Sequence, residues 1–439
     1  MNNLIVAKFG GSSLASSEQF RKVKGIVFDN ENRRYVVPSA PGKRFNKDYK
    51  ITDLLYLCHA HAENGISFDD VFKIIEERYV TLAKELEVRI DIKKYLDEVK
   101  EKVAEGASAD YTASRGEYLN GLILADYLEY EFVDAAEIIR FKNNGKFDQE
   151  ATQKAFDERM AGVERAVIPG FYGAMPDGTV KVFSRGGSDI TGSIVARCLG
   201  AELYENWTDV SGFLMSDPRI IENPKPIEVV TYKELRELSY MGASVLHEES
   251  IFPIRDAGIP INIKNTNRPE DKGTLIIGDD KPVSYSGTIT GIAGKKGFTV
   301  IAINKMLMNY EKGFCRKLLS ILESHGVSFE NMPSGIDSVC LVIEDTQLGD
   351  KLDSILEDIR KQCNPDSLEV HPNMALIATV GKGMSKTKGI SSKVFKGLAD
   401  ADVNIRMINQ GSSEINITVG VENDEFEKAL RGIYKAFTN

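Results

Sequence analysis

The first dozen residues constrain this chain more than any other stretch. After Met-Asn-Asn, the apolar run Leu4-Ile5-Val6-Ala7 leads into Lys8-Phe9-Gly10-Gly11-Ser12-Ser13. Small apolar and β-branched residues ending in Gly-Gly and two hydroxyls predict a buried strand entering a tight turn. Ser16 with Gln19 three residues on predicts a capping box, and Phe20, Val23, Ile26 and Val27 then recur at helical spacing. Strand, glycine turn and helix N-terminus together present unpaired backbone N–H groups to an anion, and Lys8 adds a full positive charge beside them. The combination reads as a phosphate cradle. The Walker ending Gly-Lys-Ser/Thr, the Rossmann glycine spacing and the protein-kinase catalytic loop are absent from the sequence. A nucleotide site here therefore belongs to another fold.

Further along, Arg34 to Val37 predicts a second strand that breaks at Pro38 into a loop, since proline is tolerated at a strand end. Thr52-Asp53 starts a helix, and residues 68–131 carry three helical patterns, around Val71 to Leu86, Ile92 to Val103 and Ala109 to Leu128. Such a block covers a sheet or forms a lid. Gly116 interrupts the last of these helices. Glycine there costs about 1 kcal/mol relative to alanine, which predicts a close approach to the backbone. Glu117 beside it is suited to an ammonium group, or is a solvated glutamate on an exposed face.

A second glycine turn follows the strands at 166–168 and 180–183: Ser184-Arg185-Gly186-Gly187-Ser188-Asp189, with a helix from about Ile190 to Leu199. Arg185 offers a planar fork for a carboxylate, and Asp189 can receive an ammonium or orient a lysine. The strand Glu202 to Trp207 ends in Thr208-Asp209-Val210-Ser211-Gly212. Three strand ends thus carry polar, glycine-rich sequence, and ligands of α/β sheets gather at the carboxyl ends of strands. An amphipathic helix with Leu235, Leu238 and Met241 and the strand Pro260 to Ile263 complete this part.

Composition narrows the partners. A net charge of −10 over 439 residues argues against a nucleic-acid or anionic-membrane surface, so a small-molecule partner is expected. No apolar run approaches the roughly 18 residues of a spanning helix, and the opening apolar stretch is too short for a signal peptide. The five cysteines form no Cys-x-x-Cys pair. A reduced, cytoplasmic chain without disulfide framework or zinc site is expected. His59 and His61 would point to different faces of a helix and are read as ordinary residues, not metal ligands.

In their order, the motifs resemble those of the aspartokinases, members of the amino-acid kinase family. The residues that carry the resemblance are Lys8-Phe9-Gly10-Gly11-Ser12-Ser13, Ser114-x-Gly116-Glu117, Ser184 to Asp189, Thr208-Asp209-Val210, Ser216-Asp217-Pro218-Arg219 and Gly242-Ala243-x-Val245-Leu246-His247. Behind them, a β-α-β-β series recurs. It runs from Phe298 through Cys315–His325 and Val327-Ser328-Phe329 to Val339–Ile343, and again from Met374 through Val394–Leu398 and Asn404–Gly411 to Ile415–Val419. This repetition is similar to the tandem ACT regulatory domains of aspartokinases.

The resemblance implies an α/β fold: a three-layer α/β/α sandwich with a mostly parallel central sheet, followed by two βαββαβ ACT domains. The implied division is a kinase domain at 1–282, a first ACT region at 283–370 and a second at 371–439, with about 285–304 completing the second. The implied activity is transfer of the ATP γ-phosphoryl group to the side-chain carboxylate of L-aspartate, with Mg²⁺ on the nucleotide. That is the first step of lysine, threonine and methionine biosynthesis, with feedback by lysine or threonine and a homodimer or tetramer assembled through the ACT domains.

By resemblance, Lys8 and Asp189 are catalytic, and Ser39, Thr52, Glu117, Arg185 and Ser188 bind substrate. Lys8, Gly10, Gly11, Ser12, Gly187, Thr208, Asp209, Arg219 and Ser244 meet the nucleotide and its phosphates, and Met308, Gly313, Phe314, Phe329 and Glu330 meet the effector. Two features depart from the family pattern. Ser244 stands where aspartokinases carry a lysine, for which Lys264 or Lys43 is the available substitute, and Pro38 and Pro41 alter the loop after the second strand. The competing readings are a kinase for another amino acid and a non-catalytic amino-acid sensor on a degenerate kinase fold.

Overall fold

The computed structural model describes residues 3–184, 186–243, 252–281, 287–385 and 387–438. Its chain divides into two compact units. The first comprises 1–213, 226–232 and 245–283, and the second 214–225, 233–244 and 284–439.

The strands are β1 (Ile5–Phe9), β2 (Arg33–Pro38), β3 (Glu131–Phe132), β4 (Ala166–Val167), β5 (Tyr172–Ala174), β6 (Val180–Val182), β7 (Leu203–Thr208), β8 (Val229–Thr231), β9 (Ile261–Asn265) and β10 (Thr274–Ile277) in the first unit. Eight of them form one sheet in the order β3-β4-β2-β1-β7-β9-β10-β8. Its pairs are parallel except β9 with β10, and β5 and β6 form a separate hairpin. The chain leaves β1 toward β2 and later returns to its other side as β7. That reversal opens the crevice in which ligands of such sheets bind.

The alternation of β1 and β7 sends their side chains to two different cores. Ala7, Phe9 and Trp207 join Phe20, Val23 and Val27 of the helix Ser17–Asp29 and the apolar stripes of the helices between Ile51 and Leu128. The helical block thus covers the sheet. Lys8 and Asn206 turn to the opposite face, where the helix Gly187–Cys198 lies; the Tyr204 hydroxyl donates to the Asp189 carbonyl at 3.2 Å. Only half of the expected capping box forms. Ser16 accepts from the Gln19 N–H, but the Gln19 amide reaches away to Asn267. The close approach expected at Gly116 is present: a Cβ there would lie 2.9 Å from the Ala40 Cβ.

In the second unit, β11 (Gly291–Asn304), β12 (Ser338–Glu344), β13 (Ser367–Val380), β14 (Met407–Asn409) and β15 (Asn416–Glu422) form an antiparallel sheet in the order β12-β11-β13-β15-β14. The two long strands serve both repeats. The half of β11 from Phe298 on pairs with β12, while its Gly291–Lys296 half pairs with the Ala375–Val380 half of β13. Helices Phe314–Ser324 and Leu352–Cys363 cover one repeat, and Ile390–Asp400 and Phe426–Thr438 the other. Two expected strands are reduced. Val327-Ser328-Phe329 is irregular, with isolated bridges only at Asn331 and Ser334, and Asn404–Gly411 contracts to β14.

Segments 214–225 and 233–244 pack with this second unit. Met215 accepts the Ile292 N–H at 2.7 Å, and buried Glu234 accepts the Thr290 hydroxyl and the Lys382 N–H, each at 2.6 Å. The cysteines are free thiols, and among the described residues no helix is long and apolar enough to cross a membrane.

Candidate functional site

Lys8 and Asn206 face each other in register across β1 and β7. The Lys8 Nζ lies 2.5 Å from Asp189 Oδ1 and donates to Asn206 Oδ1 at 3.3 Å. Asn206 Nδ2 in turn donates to Asp189 Oδ1 at 2.8 Å. Lys8 and Asn206 are buried and Asp189 nearly so, which strengthens each charge-assisted bond relative to water. Asp189 stands in the first turn of the helix Gly187–Cys198, where the helix dipole favours an anion. That helix can approach because Gly192 lies against Tyr204: a Cβ there would meet the phenol oxygen at 2.5 Å.

The glycine turn packs tightly on the loop after β2. The Gly10 N–H donates to the Trp207 carbonyl at 2.9 Å, and a Cβ on Gly10 would lie 3.7 Å from Lys8 Nζ. Gly11 accepts from the Gly42 N–H at 2.7 Å; a Cβ on it would stand 2.9 Å from the Ala40 carbonyl. Ser12 begins a short 3-10 turn, and Ser13 shares a 2.7 Å hydroxyl contact with Thr266. Across the crevice, Gly187 closes on Phe171, and Ser188 lies against Gly170.

Glu117 is buried, and one of its oxygens, Oε2, has no partner. Burial pushes its carboxyl up to about 8, against the opposing pull of the Ala40 N–H and of the Arg115 and Lys8 charges. A buried carboxyl with one oxygen lacking a donor is suited to a cationic ligand. Ser39 is held by Asn120, whose Nδ2 donates to the Ser39 carbonyl at 2.6 Å. Thr52 lies in the first turn of the helix Ile51–Glu63. Thr208 and Asp209 close the end of β7, with 3.1 Å between their side-chain oxygens.

Lys8, Gly10, Gly11, Ser12, Ser39, Thr52, Glu117, Gly187, Ser188, Asp189, Thr208 and Asp209 all belong to the first unit, and of these Lys8 and Asp189 are in direct contact. Arg219 lies in the second, exposed and paired with Asp217 at 2.6 Å. Arg185 and Ser244 are outside the described residues. Lys264 is paired in register with Trp207 and lies 5.3 Å over its ring, on the sheet face opposite to Lys8. In the second unit, Met308 and Phe314 are core residues, Gly313 caps the helix Phe314–Ser324 with φ 84°, Phe329 is exposed, and the Glu330 N–H donates to Val342.

Sequence reasoning missed three residues. Asn206 and Asn120 are buried amides, a signal legible once their burial is known. Arg78 stands on the apolar stripe of its helix, between Ile75 and Leu82. Its guanidinium donates to the Ala15, Gly42 and Tyr49 carbonyls and to Asp48 Oδ2. It therefore ties the turn after β1 to the loop after β2.

Comparison with known proteins fits this geometry. The model of the amino acid kinase family matches residues 3–265, and an ACT domain model matches 377–437. Aspartokinase 3 of Bacillus subtilis is 40% identical, with 98% of each chain covered. The chain belongs to the aspartokinases. The crystal structure of the Clostridium acetobutylicum aspartate kinase, described as an allosteric enzyme, superposes with a TM-score of 0.95 at 64% identity over 99% of this chain and 100% of that one. Escherichia coli aspartokinase III in complex with aspartate and ADP gives 0.71 at 25% identity over 99% of each chain. As an aspartokinase, the chain is an ATP-dependent kinase whose acceptor is aspartate, with an ACT regulatory region. The expected mostly parallel central sheet is the one observed.

Proposed function

We propose that this aspartokinase forms 4-phospho-L-aspartate in the crevice at the carboxyl ends of β1 and β7, with Lys8 between nucleotide and amino acid. The observation that carries the reading is the buried Lys8–Asp189–Asn206 cluster together with the buried Glu117 carboxyl, whose Oε2 has no partner. The attacking side-chain carboxylate, with an ordinary pKa near 4, is ionised at neutral pH and needs no general base. One of its oxygens bonds to the γ-phosphorus as the bond from that phosphorus to the ADP oxygen breaks, so no proton has to move. What the reaction needs is alignment of two anions and neutralisation of charge on the transferring group.

Lys8 supplies that charge, with Asp189 and Asn206 fixing its position. The Gly11 and Gly187 N–H groups and Ser12 are assigned to the phosphates, with Gly10, whose own N–H bonds the Trp207 carbonyl, lining the turn, and Thr208, Asp209, Arg219 and Ser244 are assigned to the nucleotide. Glu117 takes the α-ammonium of aspartate, Arg185 its α-carboxylate, and Ser39, Thr52 and Ser188 its remaining polar atoms. Mg²⁺ would be carried in on the nucleotide's phosphate oxygens and would offset their charge.

Regulation is assigned to the ACT region. Lysine or threonine is the effector, held at Met308, Gly313, Phe314, Phe329 and Glu330 between the ACT modules of two subunits of a cytoplasmic dimer or tetramer. The division at 282 and 370 is the proposed limit of the functional domains. Incubation with ATP, Mg²⁺, hydroxylamine and either aspartate or glutamate tests the central claim. Hydroxamate from aspartate alone is expected; none from aspartate would end it.

A further inference from the structure

Gly116 allows the helix Ala109–Leu128 to press against the Ser39–Ala40 peptide, and that peptide is gripped from both sides. The Ala40 N–H is a partner of the Glu117 carboxylate, and the Ser39 carbonyl receives the Asn120 amide at 2.6 Å. Residues 117 and 120 are three apart on one helix, so their side chains are neighbours on one face. Each is at least nine-tenths buried, and each is left with one acceptor lacking a donor: Glu117 Oε2 and Asn120 Oδ1. The amide orientation is fixed, because the Ser39 carbonyl requires Nδ2 on its side, which commits Oδ1 to accepting. Once Glu117 is ionised, two neighbouring buried acceptors without donors are costly. A ligand carrying at least two N–H groups on one nitrogen satisfies both.

We infer that Asn120 is a substrate-binding residue, its Oδ1 joining Glu117 Oε2 in accepting two N–H bonds from the α-ammonium of aspartate. The assignment rests on the proposed role of Glu117 and extends it. Glu117 supplies charge, and Asn120 supplies a second direction, so the site counts N–H groups rather than sensing positive charge alone. Selectivity against ligands without a primary amine follows, since a missing donor leaves a buried acceptor unpaired.

The test compares dissociation constants for aspartate and for succinate, which lacks the amine, by titration calorimetry. In Asn120→Leu, aspartate is expected to bind about tenfold more weakly, a loss of ~1.4 kcal/mol, while succinate binding changes less than threefold. Asn120→Asp keeps an acceptor but gives up the donor to Ser39, so it should hold aspartate within threefold of the parent chain. Equal losses for both ligands in both variants would make Asn120 a support for Ser39 only and overturn the assignment. Glu117→Gln separates the two layers. If it erases the preference for aspartate while Asn120→Leu does not, only the Asn120 inference falls; if neither variant changes the preference, the reading of Glu117 falls as well. A measurement on the unaltered protein covers a variant that fails to fold: N,N-dimethylaspartate, with a single N–H, should bind at least tenfold more weakly than aspartate, and equal affinity would refute the inference.

Discussion

Lys8 and Glu117 are both buried ionisable groups, and their surroundings give them opposite fates. Lys8 has a carboxylate at 2.5 Å, whereas the Glu117 carboxyl keeps an oxygen without a partner. Lys8→Ala should lower kcat by at least about 10²-fold, the scale of one lost transition-state charge contact, while circular dichroism stays unchanged. Asn206→Leu should lower kcat by roughly tenfold with KM for ATP nearly constant, since it frees the ammonium from its register position without touching substrate.

For Glu117, the folded-state pKa of about 8 exceeds its ordinary value of 4.5. The folded chain therefore holds that proton more tightly than the unfolded one, and this group's contribution to stability falls as pH rises from about 4.5 to about 8. Glu117→Gln should remove that slope in thermal melts and leave the protein more stable above pH 8. In the parent enzyme KM for aspartate should fall as pH rises toward 8, because only the ionised carboxylate attracts an ammonium; a flat KM profile would contradict this. Lys8 and Glu117 were both legible in the sequence as charges beside glycines. Asn206 and Asn120 were not, because an amide announces its role only through partners distant in the chain, 198 residues apart for Lys8 and Asn206.

At the scale of elements, glycines set how closely the pieces meet. Gly116→Ala should push the helix Ala109–Leu128 off Ala40, at a cost of about 1–3 kcal/mol in stability, and raise KM for aspartate more than KM for ATP. Arg78→Ala should cost about 1–3 kcal/mol by taking a donor from the Ala15, Gly42 and Tyr49 carbonyls, while Asp48 keeps its bonds to Arg44. It should also raise KM, because the loops after β1 and β2 lose their common anchor; denaturant unfolding and steady-state kinetics check the two parts. The strand–glycine–helix units were readable because period and turn chemistry agree locally. Val327-Ser328-Phe329 was misread as a strand. Its apolar alternation is real, but only Val327 reaches the core, and the exposed segment after it bridges β12 at single residues.

Across the whole molecule, the order of the chain and its division in space disagree. Segments 214–225 and 233–244 lie in sequence among kinase motifs yet pack with the regulatory unit. No periodicity reports which unit a helix joins, so only coordinates reveal it. Titration of activity with lysine and with threonine should show inhibition by at least one of them; indifference to both would remove the proposed regulation. The shared strands give a second check. Ile377 is buried in the half of β13 that belongs to the second repeat. Ile377→Asp should destabilise the unit by several kcal/mol, and hydrogen exchange should quicken in β12 of the first repeat as well as in β15.

Because β11 and β13 each run through both repeats, neither repeat owns a complete sheet. An exchange of regulatory parts between relatives therefore has to move both repeats together, matched to the segments 214–225 and 233–244 that pack with them. Replacing a single repeat would splice foreign and native halves within one strand, so sensitivity to an end product is inherited, or lost, as a unit.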